Sequence, residues 1–169
     1  PFYKNFYLRD SNYKKFGFSE FSTLDSKTPV KHQDKIDRSG YVSDAAAYQE
    51  VLDKINADPS KSRFIQLVTM QNHMPYNGEY DNNEFVGLDR STALTDDERF
   101  HLDSYAKGIN HTDVETRDFL NQLDSIDKPI TVIFYGDHLP GIYGSLAGDK
   151  ANEIALHETE YFIWSNRAS

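Results

Sequence analysis

The chain contains no cysteine, which excludes disulfides and thiolate metal sites and leaves the compartment open. It has no run of Lys and Arg, and 27 acidic against 18 basic residues give a formal net charge of −9. That balance argues against nucleic acid as a partner. It also repels phosphate esters and anionic lipid headgroups, so an anionic substrate needs a local positive centre, a metal ion or a placed Arg. No apolar run approaches the roughly 20 residues that a membrane helix requires. Neither a signal peptide nor an internal repeat is visible. The sequence opens at Pro1 rather than Met and reads as a piece of a longer protein, in which an anchor or leader would lie elsewhere.

What is present is aromatic. Eleven Tyr, eleven Phe and one Trp make up 14% of the 169 residues, and apolar residues reach 38%. Such a chain is long enough for one domain with a buried core, and its composition is not that of a disordered segment.

Helical patterning covers 5–16 and is ended by Gly17. Residues 18–42 look irregular, with a short strand expected at Phe18–Phe21. Ser43 is an N-cap for a helix over 44–57, and Asp58-Pro59 stops it. The apolar, β-rich run 63–70 (RFIQLVTM) predicts a buried strand. A polar loop over 71–95 follows, of a length that usually carries function. Thr95 with Glu98 forms a capping box that opens a long helix to about residue 124. Pro129 precedes a second predicted buried strand, Ile130–Tyr135. A Gly-rich loop, a short helix near 150–156 and a last strand, Tyr161–Trp164, complete the pattern. Strands separated by helices predict an α/β fold, a mainly parallel sheet flanked by helices, with ligands beyond the carboxyl ends of the strands. Tyr41, Tyr48 and Phe64 read as packing residues.

Two polar clusters fall at those strand exits: Gln71-Asn72-His73 and Asp137-His138. A carboxylate and a neutral imidazole leaving a strand together suit Zn²⁺ or Mn²⁺, which polarises a phosphoryl oxygen. Taken alone, the dipeptide reads sooner as a turn Asp beside a hydrogen-bonded His than as a metal site. His73, held by Pro75, is placed to bond a phosphate oxygen or to act as acid or base, or to serve structure only. Arg9 can grip a phosphate bidentately, or pair with Asp10 at the surface. Tyr7 can stack on a substrate or pack as core. His32, His101, His111 and His157 read as structural; His101 and His111 lack the i, i+4 spacing of a helical chelate.

Four stretches together resemble the lipoteichoic-acid synthases and related phosphoglycerol transferases, a branch of the alkaline-phosphatase/sulfatase superfamily. They are NFYLRDSNYKKFGFSEF (5–21), GYVSDAAAY (40–48), TMQNHMPY (69–76) and FYGDHLP (134–140); the terminal YFIWSN (161–166) also fits. The resemblance runs over nearly the whole chain. It implies a partial alkaline-phosphatase-like (sulfatase) domain, with residues 1–169 forming a single C-terminal portion of it. It implies that Asp137 and His138 hold one divalent metal, Mn²⁺ or alternatively Mg²⁺ or Zn²⁺. His73 and Arg9 would bind the glycerol-phosphate group. Tyr7, where family members often carry Trp, would lie against the substrate.

By the same resemblance the nucleophilic Thr, an acidic metal ligand and a further substrate-binding His lie upstream, so these residues alone are expected to be inactive. Thr69, inside a predicted strand, is no substitute. The implied reaction is a two-step phosphoryl transfer. Phosphatidylglycerol donates phosphoglycerol through an enzyme ester to a glycerol-phosphate polymer, lipoteichoic acid, on the extracellular face of a membrane reached by N-terminal helices. A Gram-positive cell surface is the expected location. The rival readings are a sulfatase or phosphodiesterase of the same superfamily, or a non-catalytic module that binds cell-wall glycerol phosphate. Phosphoethanolamine transferases fit less well, because they usually carry disulfides.

Overall fold

Capping decides where the two longer helices begin. The computed structural model describes residues 6–89 and 92–167. Asn5, the expected start of the first helix, lies outside them, as do Arg90 and Ser91 of the long loop. The portion expected over 1–169 is built from two compact units, Pro1–Gln71 and Asn72–Ser169.

In the first unit a 3-10 turn, Phe6–Leu8, leads into α1, Arg9–Lys15. Tyr7 and Leu8 both have φ of 54°, left-handed values that side-chain-bearing residues rarely adopt. The predicted helix over 5–16 is therefore shorter, because the backbone reverses hand just before Arg9. The expected strand at Phe18–Phe21 does not form. Those rings instead cluster on Tyr13, with Phe18 edge-on at 5.1 Å and Phe21 stacked at 5.5 Å between centroids.

Helix α2, Asp44–Asn56, starts where the Ser43 hydroxyl accepts the Ala46 amide at 3.1 Å. It buries Ala47 with Val51 and Tyr48 with Leu52, the i, i+4 rows of one face. The Gln71 side chain accepts the Asp44 amide at 2.8 Å, tying the end of the unit to this helix start. The apolar run 63–70 is extended but carries no ladder, since no strand pairs with it among the described residues. Phe64, expected in the core, is 81% exposed and meets the Phe18 ring at 5.7 Å between centroids.

The second unit is organised by α3, Asp96–Asp124. The capping box is complete: Thr95 Oγ1 accepts the Glu98 amide at 3.2 Å, and Glu98 Oε2 accepts the Thr95 amide at 2.8 Å. The loop from Asn72 is laid along this helix by hydrogen bonds. Gly78 N–H donates to Ser104, Asn83 to the Asp103 carbonyl, and Gly87 N–H to the Asp103 carboxylate. The approach is close at Gly108. A Cβ there would lie 2.5 Å from Asn72 Oδ1 and 3.2 Å from the Tyr80 ring. Asn72 cannot swing away freely, because its amide donates to Thr112 at 2.7 Å. Gly108→Ala gains about 1 kcal/mol of helix propensity. It loses more, roughly 1–3 kcal/mol, to overpacking. A lower urea midpoint than the parent chain is the expected result.

Strand β1, Thr131–Tyr135, pairs antiparallel with β2, Tyr161–Ser165, placing Thr131 opposite Ser165 and Tyr135 opposite Tyr161. The mainly parallel sheet is thus not what the described residues form. The connection between the strands holds only 3-10 turns, Gly144–Leu146, Lys150–Asn152 and Ala155–His157, and no crossover helix of the kind parallel pairing needs. The short helix expected near 150–156 is replaced by the last two of these turns. Nor is β1 buried on both faces: its residues alternate, and Ile133 is 63% exposed. Asn166 joins this ribbon to α3, accepting the Ile130 amide at 2.8 Å and donating to the carbonyls of Leu123, Ile126 and Lys128. Among the described residues no helix is long and apolar enough to cross a membrane.

Candidate functional site

The site begins where β1 ends. Gly136 N–H donates to the Glu160 carbonyl at 3.2 Å, and Thr159 Oγ1 donates to the Gly136 carbonyl at 2.8 Å. A Cβ at 136 would stand 3.3 Å from Thr159 Cβ, so glycine suits this clasp. Asp137 and His138 emerge directly from it, with side chains 76% and 69% exposed.

His138 Nδ1 lies 2.7 Å from the Leu139 carbonyl. A carbonyl only accepts, so Nδ1 carries the proton and the neutral ring keeps its lone pair on Nε2, as metal-ligating imidazoles do. That Nε2 lies 3.9 Å from Asp137 Oδ1. The separation is within the roughly 4.2 Å that two ligands on one ion can span at ordinary metal–ligand lengths. The pair therefore fits a divalent cation as two ligands. No group of three or more candidate ligands occurs among the described residues, so the remainder of a coordination sphere is not found among them.

His73 repeats the pattern, its Nδ1 donating to the Met74 carbonyl at 2.8 Å ahead of a cis Met74-Pro75 bond. The same turn reaches the loop after His138: a Cβ at Gly141 would lie 4.0 Å from the Met74 methyl. Arg9 and Tyr7 belong to the first unit, where the guanidinium sits 5.8 Å from the Tyr7 ring centroid. Arg9 also lines a cleft of about 320 Å³ with Tyr13, Phe18, Glu20, Lys54 and Phe64. Lys54 bonds Glu20 there and holds its carboxyl below the usual range.

The other imidazoles have local partners. His32 meets Asp53 at 3.0 Å, His101 bonds the Tyr76 carbonyl, and His157 bonds the Glu153 carbonyl. His111 faces the Tyr80 ring at 5.2 Å.

Several contributors are not visible in the sequence. Thr159 clasps Gly136 from 23 positions away. A cleft of about 670 Å³ opens at Leu139, beside His138, and runs past Tyr143, Lys150, Glu153 and His157. Burial pushes the Tyr143 phenol up. Glu98 reaches this loop as well as its own helix cap. Hydrogen bonds from the Ser145 hydroxyl, then from backbone amides, lower its pKa to about 2. The capping pattern reveals Glu98 but not its distant partner.

Comparison with known proteins adds three findings. A family model described as Sulfatase matches residues 1–169. Among solved structures, the Streptococcus pyogenes phosphoglycerol transferase GacH in complex with sn-glycerol-1-phosphate is similar, at 39% identity and a TM-score of 0.81. The match covers 98% of this chain and 42% of that one. Two Rhizobium meliloti proteins are also similar: a putative cyclic beta-1,2-glucan modification protein, 26% identical over 99% of this chain, and the capsular polysaccharide biosynthesis protein RkpI, 28% identical over 96%. The chain spans only 27% and 26% of their lengths.

Proposed function

The chain belongs to the sulfatase family, and on that premise we propose that it supplies part of the metal site and the headgroup contacts of a phosphoglycerol transferase. The whole protein would act on a phosphatidylglycerol-type lipid at the extracellular face of the membrane. The observation that carries this is the Asp137–His138 pair, with Nε2 set by the Leu139 carbonyl, in a chain 39% identical to a phosphoglycerol transferase over nearly its full length.

The residues divide the work by their chemistry. Asp137 and His138 would hold one Mn²⁺, or Mg²⁺ or Zn²⁺, with mixed oxygen and nitrogen donors. A bound divalent ion supplies charge stabilisation to the transferring phosphoryl group. Arg9 offers a planar fork that pairs two phosphate oxygens at once. His73, with Nδ1–H committed to the Met74 carbonyl, presents an acceptor nitrogen when neutral. It is therefore suited to a glycerol hydroxyl, and donates to a phosphate oxygen only as imidazolium. Tyr7, beside Arg9, would lie against the glycerol. The nucleophilic Thr and an acidic metal ligand would come from elsewhere in the whole protein.

The acceptor has two readings. One is a growing glycerol-phosphate polymer. The other is a polysaccharide, favoured by the glucan-modification and capsular-polysaccharide relatives. Incubating the whole protein with phosphatidylglycerol and Mn²⁺ tests the donor: diacylglycerol should appear, and chelation should stop it. No release in the presence of Mn²⁺ rejects the proposal. Adding glucan or glycerol-phosphate oligomers then shows which one gains phosphoglycerol. Arg9→Ala should weaken headgroup binding by roughly 1.5–3 kcal/mol, the range for hydrogen bonds to charged groups. An unaltered dependence on phosphatidylglycerol concentration removes Arg9 from the site.

A further inference from the structure

We propose that Glu98 is a positioning residue for the cleft beside His138, fastening loop 139–148 to the first turn of α3 through Ser145. Its consequence for catalysis rests on the function proposed above.

Glu98 does more than a capping residue requires. A capping box uses the N3 carboxylate to accept one amide, that of the N-cap. Here Oε2 accepts the Thr95 amide at 2.8 Å and faces the Thr95 hydroxyl at 3.0 Å. Oε1 accepts the Ser145 amide at 2.7 Å, and the Ser145 hydroxyl donates to Oε2 at 2.6 Å. A carboxylate has about four acceptor sites, so this one is nearly saturated. Both donors of Ser145 are taken, which fixes its orientation as well as its position.

The loop needs such a hold. Between β1 and β2 it contains Gly136, Gly141, Gly144 and Gly148, each adding backbone freedom, and its regular structure is limited to 3-10 turns. Its ends are held by the strand pairing and by the Thr159 clasp. Glu98 holds its middle from 47 positions earlier in the chain. Tyr143, Gly144 and Ala147, on either side of Ser145, line the cleft, and Leu139, whose carbonyl orients His138, begins the same wall. Releasing Ser145 therefore loosens the cleft wall and the ring that depends on it.

Three variants, each made in the whole protein, separate this role from helix capping. Thr95→Ala weakens the cap and spares the loop contact. Ser145→Ala does the reverse. Glu98→Ala removes both. Two metal-free readouts decide: amide exchange at residues 145–147 and the ring-nitrogen shifts of His138. Exchange should quicken roughly tenfold in Ser145→Ala and further in Glu98→Ala, as expected where a charge-assisted bond is lost. His138 should lose its single Nδ1–H tautomer in the same two variants, while Thr95→Ala lowers Tm and leaves both readouts at parental values. Parental exchange and shifts in Glu98→Ala overturn the proposal, as does an equal response in Thr95→Ala. A separate Mn²⁺ titration of the whole protein, followed by broadening of the His138 ring signals, judges the metal reading independently.

Discussion

Asp137→Ala or His138→Ala, introduced into the whole protein, is expected to abolish Mn²⁺-dependent release of diacylglycerol while leaving the Tm of the metal-free protein unchanged. Both halves of that expectation come from geometry. The two side chains are largely exposed, so truncating them removes little packing. Each would contribute a direct bond to the cation, and losing a direct ligand costs more than the roughly 10–100-fold typical of losing an outer hydrogen-bond partner. Turnover equal to the parent's rejects the metal assignment. A fall in activity matched by a fall in the metal-free Tm would instead assign the pair a structural role.

The largest stability effect should come from Leu123→Ala. Leu123 is 1% exposed in the last turn of α3, where Phe119, one turn earlier, is also buried. Truncation leaves a cavity in a region stiffened from both sides, because Asn166 bonds the Leu123 carbonyl and the Ile130 amide. A site that cannot collapse sits toward the upper part of the usual range, about 2–5 kcal/mol for Leu→Ala. Chemical denaturation measures it directly. A loss below about 1 kcal/mol would mean that the helix end repacks freely, contrary to its hydrogen bonding.

Local chemistry in this chain is legible wherever a side chain caps or stops its own backbone. Ser43, the Thr95–Glu98 box and Asp58-Pro59 each mark a helix boundary to within a residue or two. The strands ending in Tyr135 and Ser165 were likewise visible as apolar runs. What sequence could not convey was partnership. The run 63–70 has the composition of a buried strand, but a ladder needs a neighbour, and periodicity is silent about whether one exists. The same limit explains Phe64, whose apolar ring is exposed, and the antiparallel pairing of β1 with β2. The left-handed Tyr7 and Leu8 could not be read at all, since neither residue favours positive φ.

The site shows the same division. Asp137, His138 and His73 stand out as candidates by type and by position after apolar runs. The atoms that orient the two imidazoles are backbone carbonyls, which every residue possesses and no composition reveals. Thr159 and Ser145 act from far along the chain and belong to residue types that are common on any surface.

The Thr159 clasp also determines where the length of this segment can vary. Because Gly136 is pinned by residues 159 and 160, the point from which Asp137 departs is set by the two ends of the intervening segment rather than by its length. Insertions near the exposed Gly148-Asp149 segment can thus be accommodated without displacing the point from which Asp137 departs.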